Sequence, residues 1–95
     1  MLEQFINLLT KAEAAEVADS PLLTDWHQAD TNGDPDNQVV RFAWTMHGQN
    51  FEIILTEAGI SQCSFDRGTG EFTLADHEGD ELTIRLYRLT QLMPE

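Results

Sequence analysis

Between Gln38 and Thr56 the chain alternates, with Val40, Phe42, Trp44 and Met46 separated by Arg41, Ala43, Thr45 and His47. A period of two predicts a strand with one buried face. Gly48-Gln49 then suits a two-residue turn with Gly first, the type II′ hairpin pattern. That turn sets Met46 opposite Phe51, Trp44 opposite Ile53 and Phe42 opposite Leu55. Both apolar stripes land on one side, so strands are expected over about 38–47 and 50–56.

The later turns extend the pattern. Glu57-Ala58-Gly59 fits a three-residue hairpin loop with Gly at its left-handed third position. It sets Leu55 opposite Ser61, Ile53 opposite Cys63 and Phe51 opposite Phe65, in a strand over about 60–66. After a longer turn from Asp66 to Glu71, Phe72 and Leu74 face Phe65 and Cys63 in a strand over about 71–76. His77-Glu78-Gly79 repeats the three-residue loop, pairing Leu74 with Leu82 and Phe72 with Ile84 in a strand over about 81–89. The expected inner face runs from Val40, Phe42, Trp44 and Met46 through Phe51, Ile53, Leu55, Cys63, Phe65, Phe72 and Leu74 to Leu82, Ile84 and Leu86. The opposite face carries Arg41, Thr45, Glu52, Gln62, Ser64, Thr73 and Arg85, with Ile54, Ile60 and Tyr87 among them, and reads as solvated.

Upstream, Leu2, Phe5, Ile6, Leu9 and Ala12 follow helical spacing, and the alanines near 12–15 favour helix, which predicts a helix over about 2–18. Ser20-Pro21 should end it. Residues 22–29 read as an extra strand, with Leu22, Thr24, Trp26 and Gln28 on one face; a short helix capped by Ser20 is the alternative. Asp30 to Asn37 is a loop by composition, and Leu92 to Glu95 a loose tail. The expected fold is α+β: an N-terminal helix packed on one face of an antiparallel meander of five strands, or six with the segment at 22–29.

Composition adds three points. Ninety-five residues suit a single domain. Cys63 is the only cysteine, which excludes an internal disulfide and points to a reducing, cytoplasmic setting. The first apolar stretch carries Glu3 and no basic leader, so no signal peptide is expected, and no apolar run approaches a bilayer span. Seventeen acidic against five basic residues leave a formal charge of −12. That excess repels nucleic acid and anionic membrane and favours a cationic partner. Solubility alone is the plainer reason for such acidity.

Candidate chemistry is sparse. Asp30-Thr31-Asn32-Gly33-Asp34-Pro35-Asp36 begins like a calcium loop but has Pro35 and Arg41 where an EF-hand needs Gly and a bidentate Glu. An Asx-rich turn is the simpler reading. His27, His47, Cys63 and His77 lack the paired spacing of a zinc site. A buried Cys63 would be inert as a nucleophile, and no two carboxylates are singled out for acid–base work. No metal, cofactor or enzymatic activity is expected.

Charge placement is more informative. A meander puts alternate connections at one end, which would gather Asp30, Asp34, Asp36, Glu57, Asp76, Glu78, Asp80 and Glu81, with no Lys or Arg in those loops. Such a margin can stand in for nucleic-acid phosphates toward a basic protein surface. Its plain alternative is a solvated rim that discourages sheet-to-sheet pairing. Trp26 is a candidate interface anchor beside it. The expected function is therefore a small acidic non-catalytic binding module, of the inhibitor or immunity type, that docks on a basic nucleic-acid-binding surface. The alternative is a structural or assembly subunit that uses a sheet edge or apolar rim.

Overall fold

A computed structural model describes residues 1–88. The fold is α+β, with a short N-terminal helix and two antiparallel sheets rather than one. In chain order the elements are α1 (Leu2–Lys11), β1 (Ala14–Val17), β2 (His27–Gln28), β3 (Gln38–Met46), β4 (Gln49–Thr56), α2 (Glu57–Ser61), β5 (Ser64–Asp66), β6 (Glu71–Ala75) and β7 (Glu81–Tyr87). The strand orders are β1-β7-β6-β5 and β2-β3-β4.

The first correction concerns the N-terminal helix. It stops at Lys11, and Ala12 is already extended. Ala14 to Val17 instead pair with β7, Ala15 opposite Leu86 and Val17 opposite Ile84. On its other side, Ala15 exchanges both backbone hydrogen bonds with Leu23, each 2.7 Å. Alanine's helix preference amounts to a few tenths of a kcal/mol per residue over most alternatives, so a doubly paired and buried strand outweighs it. Ala14, Ala15 and Val17 are fully buried there. Ser20 closes the turn that follows, accepting from the Val17 N–H at 3.0 Å and donating to Pro21 O at 2.7 Å. Within 22–29 only His27–Gln28 form a strand, against Arg41 and Val40 of β3.

The central hairpin is present, but its turn is His47-Gly48, where both residues have positive φ (54° and 75°) as a type I′ turn requires. Trp44 therefore faces Phe51, Phe42 faces Ile53 and Val40 faces Leu55. The register differs by two residues from the type II′ expectation, and a shift of two keeps every side chain on its face. A bulge between Gln38 and Val40 lets Val39 and Val40 both be buried.

The second correction is at Glu57-Ala58-Gly59, which opens helix α2 instead of a hairpin turn. Thr56 caps it, its Oγ1 accepting from the Gly59 N–H at 3.2 Å. Gly59 is needed for close approach and not for a left-handed φ: a Cβ there would lie 2.5 Å from Ala75 O. The helix diverts the chain out of the β3–β4 sheet, so the expected pairings of Leu55, Ile53 and Phe51 with the next strand do not form. The expected strand over 60–66 shrinks to Ser64–Asp66, and Ile60 becomes fully buried core. From there the expected register holds, with Phe65 opposite Phe72, Leu74 opposite Leu82 and Phe72 opposite Ile84. β7 ends at Tyr87, and the expected strand end near Leu89 and the tail from Leu92 lie outside the described residues.

The core lies where α1 and the two sheets meet. Phe5 sits edge-on to Phe72 at 5.0 Å, and the cluster continues through Leu9, Val17, Val40, Phe42, Leu55, Ile60 and Ile84. Six expected inner residues do not join fully: Met46, Phe51, Ile53 and Leu86 are half-buried, and Phe65 and Trp44 also stand at the margin. Phe65 is 41% exposed on the short edge strand. Trp44, half-buried, stacks on Phe51 at 5.6 Å with rings 13° apart.

Candidate functional site

The site is built around the N-terminus of α2. Glu57 is buried, and its carboxylate is enclosed by the Asp30–Asn37 loop. The Asn32 N–H donates to Oε2 at 2.8 Å, the Gly33 N–H to Oε1 at 3.1 Å and Asn37 Nδ2 to Oε2 at 2.7 Å. Two backbone bonds run beside them: the Glu57 N–H donates to Asn37 O at 3.0 Å and the Ala58 N–H to Pro35 O at 3.1 Å. Donation from the Asn32 backbone, then from the Asn37 side chain, holds the Glu57 carboxyl below the usual glutamate range. The missed signal was local: Thr56 followed by an acid in the next turn reads as a helix start, and a helix start has orphan N–H groups that favour a carboxylate.

The loop itself is a chain of Asx turns. Asn32 Oδ1 accepts from the Asp34 N–H and Asp34 Oδ1 from the Asp36 N–H, both at 2.9 Å. Two of the side-chain oxygens that resembled a calcium loop, on Asn32 and Asp34, are thus engaged by the loop's own backbone. Among the described residues, no three His, Cys, Asp or Glu side chains are grouped to hold a metal ion.

The third connection shows the same economy. Asp76 Oδ1 accepts from the Glu78 N–H at 2.9 Å and the Asp80 N–H at 3.0 Å, closing the turn in which Gly79 takes φ 87°. This turn abuts the others, since the His77 N–H donates to Ile54 O at 2.9 Å and Gly59 presses against Ala75 O. The Asp30–Asn37 loop, α2 and the 76–80 turn therefore meet.

The predicted site residues divide into three groups. Asp30, Asp34, Asp36, Glu78, Asp80 and Glu81 are exposed on these connections. Glu57 is turned inward, and Asp76 is half-buried within its own turn. Trp26 stands apart, half-buried and tilted on Phe42 at 5.7 Å, in a groove with Asp25, His27 and Arg41. Cys63 is buried, which pushes its thiol pKa up. His47 occupies the hairpin turn of the other sheet and His77 the acidic turn. No described helix is long and apolar enough to cross a membrane.

The chain matches no protein-family profile, and no characterised protein or solved structure resembles it closely enough to indicate kinship.

Proposed function

We propose that this protein is a non-catalytic binding module whose acidic end docks on a basic surface of a partner protein, in the manner of an inhibitor or immunity protein covering a nucleic-acid groove. The observation that carries the reading is the meeting of three connections around α2, which brings segments bearing Asp30, Asp34, Asp36, Glu78, Asp80 and Glu81 together without a Lys or Arg among them. The Glu57 and Asp76 bonds hold the loops in one shape, which lowers the ordering cost of binding.

The test is a pull-down from native cell extract, comparing wild type with an Asp34→Asn/Asp36→Asn/Glu78→Gln/Asp80→Asn variant. Asn at position 34 retains the Oδ1 acceptor that closes the turn, so the loop survives the loss of charge. Wild type should capture basic proteins that are released by rising salt and by added duplex DNA, and the variant should not. Equal capture of the same proteins by both would end this reading.

A second reading, an assembly subunit, draws on a different observation. Leu8 and Phe65 are exposed and, with Phe72 and Leu86, line an apolar groove away from the acidic turns. An association through that groove would be insensitive to salt.

A further inference from the structure

Asn32-Gly33 is the chain's one Asn-Gly pair, and it lies exposed in the loop that encloses Glu57. Such a pair is open to self-modification, because glycine lacks the Cβ that would hinder its own nitrogen from approaching the preceding side chain. In that reaction the Gly33 nitrogen gives up its proton and bonds to Asn32 Cγ. The Cγ–Nδ2 bond breaks, and the amide nitrogen takes a proton and leaves as ammonia. Water then opens the five-membered imide at either carbonyl, giving aspartate or, with the chain rerouted through Cβ, isoaspartate. Either product adds a carboxylate to the loop.

The geometry points to Asn32 as a deamidation site that the Glu57 carboxylate keeps closed in the folded protein. The Gly33 N–H, whose proton must leave, donates to Glu57 Oε1 at 3.1 Å, and the Asn32 N–H donates to Oε2 at 2.8 Å. Negative charge developing on the Gly33 nitrogen would therefore face a fixed anion, which favours the protonated form. Ring closure also breaks a charge-assisted hydrogen bond. Glu57 is poorly suited to take the proton itself, since its donors hold its carboxyl below the usual glutamate range. The Asp34 N–H, bonded to Asn32 Oδ1 at 2.9 Å, would favour charge on that oxygen, so the outcome is decided at the nitrogen. Glu57 is in turn fixed by α2, where the Glu57 N–H donates to Asn37 O and the Ala58 N–H to Pro35 O. The pair is thus released only when the loop lifts from α2. This protection stands whether or not the acidic end docks on a partner.

The experiment incubates the folded wild type, Glu57→Gln and Val17→Ala at mildly alkaline pH, beside wild type unfolded by guanidinium chloride in the same buffer. Intact mass follows the replacement of amide by acid, and peptide mapping locates aspartate and isoaspartate at position 32. Folded wild type should lose Asn32 about tenfold more slowly than the unfolded chain, or slower still, because a closed loop reacts only through its open population. Glu57→Gln should lose it severalfold faster than folded wild type, since the anion beside the Gly33 nitrogen is gone. Val17→Ala loosens the buried core from β1, outside the loop and α2, and should keep the wild-type rate. Equal rates in folded and unfolded wild type, or in wild type and Glu57→Gln, would overturn the assignment. So would equal acceleration in Val17→Ala and Glu57→Gln, which would trace the modification to unfolding of the whole domain.

Discussion

Asn32 and Glu57, 25 residues apart in the chain, are joined by a 2.8 Å hydrogen bond from the backbone N–H of one to the carboxylate of the other. With the Gly33 and Asn37 donors it makes an anionic side chain the organising centre of an anionic loop. The Asp34 carboxylate, like that of Glu57, is met by a backbone N–H in place of Lys or Arg, which preserves the negative outer face.

Glu57→Gln is expected to lower the melting temperature by several degrees near neutral pH, because the amide presents a donor to groups that are themselves donors. Folding depresses the Glu57 pKa below its ordinary value of 4.5, so the ionised carboxylate stabilises the native state above that value. This contribution fades as pH falls through the lower folded value. Thermal melts of both proteins should therefore converge as pH falls below 4.5, and a difference that is constant with pH would disprove the linkage.

Gly59→Ala puts a methyl 2.5 Å from a backbone carbonyl that cannot swing aside. The expected destabilisation is about 1–3 kcal/mol, read from urea unfolding, as for other overpacked sites. A neutral result would mean that α2 can shift relative to β6.

At the hairpin turn the direction reverses. His47 holds φ 54°, a region that Asn tolerates better, and Asn-Gly is the preferred type I′ pair. His47→Asn should raise the urea midpoint, by a few tenths to ~1 kcal/mol, without altering the m-value.

Phe5 is fully buried and is α1's aromatic contact with the four-stranded sheet, edge-on to Phe72. Phe5→Ala should cost about 3–5 kcal/mol, a large part of the roughly 5–15 kcal/mol that keeps such a domain folded. Amide exchange should then show α1 opening before β6 and β7.

Much of the fold was legible because strand alternation reports which face a residue takes. The inner positions of β3, β6 and β7 follow from it, and so does the His77-Glu78-Gly79 turn with its pairing of Leu74 and Leu82. Alternation is silent about shifts of two residues, which is why the hairpin turn at His47-Gly48 was displaced without moving a side chain across the sheet.

The sequence by itself determined the α+β class, the alternating faces, the acidic balance and the residues that populate the acidic connections. Tertiary structure decided what local preference could not reach. Ala14 to Val17 became a strand because β7 and Leu23 together offered more than helix propensity did. The chain divided into two sheets because α2 formed at Thr56, where a cap and the loop's N–H groups met. Glu57 turned inward for the same reason: its partners arrive from a segment 20 to 25 residues away, and only folding brings them within bonding distance.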